Sequence, residues 1–100
     1  MFSIFVFRMK SLLQNGFTQV SNNVVRNPDI PLREKGLYVL LASYANNLTG
    51  ETTVSVSKMS DECGLNQSSV RRTLDNLINL GLIKRTRRGK NESWVTTLLK

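Results

Sequence analysis

The sequence predicts a mainly α-helical domain closed by one small β-hairpin. Three observations carry that prediction. Apolar residues recur at helical spacing in stretches between Leu32 and Leu80. Gly64 and Gly81 stand where helices of this kind stop and the backbone turns left-handed. From Leu82 onward the helical period gives way to two short β-prone runs around a basic, glycine-containing turn. At 100 residues the chain has room for one domain and one small core.

Taken in order, residues 1–16 read as an N-terminal extension and residues 17–100 as the domain proper. In the extension Phe2, Phe5, Met9, Leu12 and Leu13 fit a helix, whereas Phe2, Ile4 and Val6 alternate like a strand; Asn15-Gly16 ends either one. Phe17 to Val20 is a short strand candidate, and Ser21 to Asn27 a single helical turn before Pro28. Pro31 suits the first position of a helix, where its missing N–H costs nothing. Leu32, Leu37, Tyr38, Leu40, Leu41 and Tyr44 then form an apolar stripe reaching about Ala45. Residues 46–54 read as a polar loop, and Ser55 as the N-cap of the next helix.

The stretch from Ser55 to Ile83 is the most informative. Val56, Met59, Ser60 and Cys63 give a short helix one small or apolar face. Gly64 makes the turn, Leu65 plugs it, and Asn66 caps a second helix running from Gln67 to about Leu80. Val70, Leu74, Leu77 and Ile78 face inward at i, i+4, i+7 and i+8, and Gly81 ends the helix. Two helices joined by such a turn make a helix-turn-helix. Leu82 to Thr86 and Ser93 to Leu99 read as strands around the basic turn Arg87-Arg88-Gly89-Lys90-Asn91. A helix-turn-helix followed by a basic hairpin is a winged helix.

Charge points the same way. The chain carries +7, with a pI near 10.2, a usual footprint of a nucleic-acid binder. Residues 71–90 hold Arg71, Arg72, Lys84, Arg85, Arg87, Arg88 and Lys90 against Asp75 alone, which is +6 of that total.

Composition also excludes. With no histidine, a Ser-His-Asp triad, histidine metal ligands and a histidine base are all out. A lone cysteine, Cys63, forms no internal disulfide or cysteine zinc site and reads as a packing residue in a cytoplasmic protein. The apolar run Phe2 to Phe7 is far short of the ~20 residues that span a membrane. The expectation is no catalysis, no cofactor, no metal, no small-molecule substrate and no membrane.

The run Ser69-Val70-Arg71-Arg72-Thr73-Leu74-Asp75-Asn76-Leu77, then Leu80-Gly81-Leu82-Ile83, resembles the recognition helix and wing entry of winged-helix DNA-binding proteins. With Phe17-Thr18-Gln19-Val20, Asn27-Pro28-Asp29 and Leu32-Arg33-Glu34-Lys35-Gly36-Leu37-Tyr38, residues 17–99 resemble the N-terminal winged-helix domain of phage and plasmid replication proteins of Gram-positive bacteria. Ser60 departs from the pattern, where such helices more often carry alanine. The resemblance implies origin or operator recognition on double-stranded DNA. A small transcriptional repressor and a protein-interaction winged helix are the alternatives.

Gln67, Ser68, Ser69, Arg71 and Arg72, at the N-terminal end of the second helix, are the candidate base readers. Gln67 with Arg71 and Ser68 with Arg72 form two rows, either of which can face the bases. Arg85, Arg87, Arg88 and Lys90 are candidate wing contacts, and Arg33 and Lys35 candidate phosphate contacts. Tyr38, Tyr44 and Trp94 read as packing aromatics, and Asp61 and Glu62 as solvated. A homodimer would suit palindromic half-sites, with the apolar residues 1–13 as either its interface or a cover for the monomer's own core.

Overall fold

The computed structural model describes residues 17–87 and 94–99. The reading of residues 1–16, the dimer surface placed on residues 1–13, and Arg88, Gly89, Lys90, Asn91 and Ser93 lie outside those residues. In chain order the described elements are α1 (Asn22–Val25), α2 (Leu32–Tyr44), β1 (Glu51–Thr52), α3 (Val56–Cys63), α4 (Gln67–Asn79), β2 (Ile83–Arg87) and β3 (Trp94–Leu98). This is the expected α+β winged helix: a helical core with a small antiparallel sheet beside it. No helix among the described residues is long and apolar enough to cross a membrane.

Local chemistry places the helix ends. The Ser55 side chain accepts from the Lys58 N–H at 3.1 Å and starts α3. Gly64, at φ 69°, ends it in the left-handed region. Asn66 Oδ1 accepts from the Ser69 N–H at 2.8 Å and starts α4, so α3 and α4 are joined by a tight turn. Ser60 ties that turn, its hydroxyl donating to the Leu65 carbonyl. The serine that departs from the resemblance thus satisfies a carbonyl that alanine would leave without this donor. Gly81, at φ 75°, carries the chain from α4 into β2. Pro31 is the residue before α2, one position earlier than expected.

The core joins Leu37, Tyr38 and Leu41 of α2, Met59 of α3, and Val70, Leu74 and Leu77 of α4 with Val24, Ile30, Leu82 and Ile83. Leu40, Cys63 and Leu65 pack against its edge. Burial pushes the Cys63 thiol pKa up, with Glu62 adding to it, and this holds the sulfur in its unreactive protonated form.

Several expectations are corrected. Phe17 to Val20 forms no strand, and Phe17 is 80% exposed, since no sheet edge lies there to pair with it. The polar loop 46–54 contains β1, whose Glu51 and Thr52 pair with Thr97 and Thr96. Its polar residues carry no strand pattern; β3 supplies the hydrogen bonds. Leu32 and Tyr44 are exposed at the two ends of the α2 stripe, and Tyr44 meets α3 only at its surface, with the Lys58 ammonium 5.4 Å from its ring centroid. Ile78 is exposed and Thr73 takes its place in the buried stripe, bonding back to the Ser69 carbonyl at 2.7 Å. Glu62 is not simply solvated, because it accepts a hydrogen bond from the Tyr44 hydroxyl.

The sheet order is β1-β3-β2, all antiparallel. β2 and β3 pair Ile83 with Leu98, Arg85 with Thr96 and Arg87 with Trp94 on one face. That face begins in the core at Ile83 and ends in solvent at Arg87 and Trp94. The wing therefore grows out of the core rather than hanging from it.

Candidate nucleic-acid interface

Helix α4 turns four kinds of surface to its surroundings, because successive residues step ~100° around its axis. Val70, Thr73, Leu74 and Leu77 are buried. Ser68 and Arg72, on the opposite side, are exposed. Asn76 lies on one flank and donates to Glu34 of α2 at 2.9 Å. Gln67 and Arg71 lie on the other flank, the Arg71 guanidinium donating to Gln67 Oε1 at 3.3 Å.

That second flank faces the wing. Arg85 is half-buried there, its Nε donating to Thr96 Oγ1 at 3.2 Å. Burial lowers its pKa from the ordinary arginine value, nearby Asp75 pulls it back up, and nearby Arg71 pushes it down again. An arginine stays charged through such shifts. Arg85 thus sits as a cation between the α4 flank and the wing, close enough to Arg71 to feel its charge.

Trp94 is 45% exposed, and both wing arginines lie over it. The Arg85 guanidinium carbon is 5.3 Å from the ring centroid and that of Arg87 is 5.6 Å. These are cation–π distances. Of the packing roles expected for Trp94, the core is therefore excluded, because β3 has already left the core when it reaches position 94; the ring packs instead against the wing arginines.

The structure brings Arg71 and Arg85 to the seam of α4 and the wing, with Gln67 beside Arg71, and sets Arg87 over the same Trp94 ring as Arg85. It separates Ser68 and Arg72, which stand on the outermost line of α4. Ser69 is only half-exposed, its N–H taken by the cap and its carbonyl by Thr73. Arg33 and Lys35 lie elsewhere, in the first turn of α2; Arg33 lines a groove between α2 and α3 with Leu32, Gly36 and Leu65. Arg88 and Lys90 are outside the described residues. Trp94, Thr96 and Asp75 belong to the seam and were missed as site residues. The alternation of Arg85 with Arg87 and of Trp94 with Thr96 was visible in the sequence, but not the register that puts them together.

A family model described as a helix-turn-helix domain matches residues 29–83, from just before α2 to the start of β2. No curated protein matches the chain. Among solved structures, one described as the N-terminal domain of a DNA binding protein superposes with a TM-score of 0.63 at 18% identity, covering 91% of this chain and 79% of that one. A Rep–DNA complex gives 0.65 at 17% identity, covering 91% and 80%. The YusO protein from Bacillus subtilis gives 0.51 at 19% identity, covering 97% and 60%. At these identities the likeness is one of fold. The chain belongs to the helix-turn-helix domain family and has the winged form of that DNA-binding fold.

Proposed function

We propose that this domain binds double-stranded DNA sequence-specifically and serves origin or operator recognition in phage or plasmid replication. One observation carries the reading: α4 shows a polar outer line at its N-terminal half, and the flank beside it continues through Arg71 and Arg85 into a basic wing. Ser68 and Arg72 face the base edges when α4 enters the major groove, with Gln67 and Arg71 on the wing side. Arg85 and Arg87 then lie against the phosphate backbone, and the positive charges of Arg88 and Lys90 favour the same contact. The replication role is supported by the similarity to the protein of a Rep–DNA complex.

The test is selection from a pool of random duplexes, followed by salt titration of the selected and a scrambled duplex by fluorescence anisotropy. One sequence should be enriched. Affinity for both duplexes should fall with salt, log K losing about 0.9 per neutralised phosphate for each unit of log salt. Half-sites ~34–36 Å apart would show two copies bound together. Binding that ignores salt, or none, overturns the reading. Footprinting on an origin separates replication from repression.

A further inference from the structure

We propose that Trp94 is a positioning residue for the DNA backbone: its ring holds Arg85 and Arg87 as one rigid platform, and that platform extends the recognition helix's grip along the phosphodiester strand. The inference rests on the DNA-binding reading above and deepens it. The graded face of the β2–β3 hairpin carries it. Ile83 and Leu98 anchor the first pair in the core, Arg85 and Thr96 make the second beside α4, and Arg87 and Trp94 the third in solvent. Residues two apart on a strand share a face, so both guanidiniums and the ring are on the same side of the sheet. Trp94 is directly across from Arg87 and diagonal to Arg85, both within reach of a large side chain.

An exposed arginine samples many rotamers and loses that freedom on binding a phosphate. Here the loss is taken at folding. Arg85 is fixed by Thr96 Oγ1 and the ring, and the ring also restrains Arg87. A guanidinium meets a ring face through its plane rather than through its N–H donors, so the contact with Trp94 does not itself use the groups that bind an anion. Arg85 feels the like charge of Arg71 across the seam, with Asp75 as partial compensation. A phosphodiester between them relieves that repulsion. The tryptophan is the chain's only one, and its indole contributes no charge to the site.

The experiment compares wild type, W94F, W94L and R85A/R87A on a random-sequence duplex across a salt series, with circular dichroism and thermal melting of each. W94L should bind about three- to tenfold more weakly and give a flatter salt slope, although every charge is retained. W94F should recover most of the loss, because phenylalanine keeps a ring face. In the R85A/R87A background W94L should cost nothing further. Should W94L fail to fold, R85K/R87K provides the second route: lysine keeps the charge but cannot stack a plane, so affinity should again fall about three- to tenfold. Unchanged affinity of folded W94L or of R85K/R87K, or additive losses in the triple variant, overturns the role of Trp94. In those cases wild type still binds with steep salt dependence, so the DNA reading survives; a wild type that binds no duplex overturns both.

Discussion

The Asn76 amide donates to Glu34 Oε1 at 2.9 Å, bridging 42 residues of sequence to tie the flank of α4 to the first turn of α2. Glu34 is only 4% exposed, so its carboxylate depends on partners inside the protein. Its place in the first turn of α2 also sets negative charge against the positive end of that helix. The contact fixes how α4 sits on α2, and so where its outer line points.

Removing the donor leaves a buried oxygen short of a partner. Asn76→Ala should cost ~1–3 kcal/mol in urea unfolding. The pair should also be coupled: Glu34→Ala/Asn76→Ala should lose less than the sum of the single changes by about 0.5–3 kcal/mol. Strict additivity would mean the bond contributes nothing.

Burial distinguishes two neighbours on α4. Leu74 is fully buried and Ile78 is 39% exposed. Leu74→Ala should cost ~2–5 kcal/mol, as buried leucine truncations do. Ile78→Ala should cost under about 1 kcal/mol. Equal losses in denaturant midpoint, at unchanged slope, would put Ile78 back in the core.

At Gly64 the obstacle is backbone rather than space. A Cβ there would meet nothing within 4 Å, but φ is 69°. Gly64→Ala should therefore destabilise by ~1–2 kcal/mol through left-handed strain alone. Gly64→Asn should be milder, since asparagine tolerates that region. Thermal melts of the two variants check the order.

Tyr44 predicts an alkaline effect. Its hydroxyl donates to Glu62, and that bond, some desolvation and the carboxylate's charge raise its pKa above the usual value near 10. The folded chain then keeps a proton that the unfolded chain releases. Stability from this bond is complete below the ordinary tyrosine pKa and is lost as pH rises through the raised folded value. Tyr44→Phe should remove that part of the alkaline decline, seen as a shallower fall of melting temperature in the same window.

On DNA the two arginines of α4 should separate. Arg72, on the outer line, is expected to read a base: Arg72→Ala should cost ~1–3 kcal/mol on a selected site and much less on a scrambled one. Arg71, on the wing flank, should lose similarly on both, as a backbone contact does. Anisotropy on the two duplexes distinguishes them, and the reverse pattern would rotate the helix's reading face by one row.

The helix-turn-helix was legible because its determinants are local. Ser55 and Asn66 cap, Gly64 and Gly81 turn, and Val70, Leu74 and Leu77 repeat at helical spacing; each acts within one turn of chain. Ile78 was misplaced because the apolar pattern extends further around α4 than the surface α2 and α3 offer to cover. Thr73 was missed because a threonine bonded to its own helix can enter a core as easily as an apolar residue. At the site, the residue types and their charge were legible, but their grouping was not.

By itself, then, the sequence determined the helices from Leu32 onward, the turns at Gly64 and Gly81, the two strands of the wing and the placement of most of the net positive charge in residues 71–90. Tertiary structure decided what those elements do to one another. It added β1 as a third strand, because a polar Glu-Thr pair becomes a strand only where β3 offers hydrogen bonds. It buried Glu34 against Asn76, and it drew Arg71 and Arg85 from different elements to one seam. It also turned Trp94 from a packing residue into a ring beneath two arginines, because strand register sets which side chains meet across the hairpin, and register is settled by where Ile83 and Leu98 enter the core.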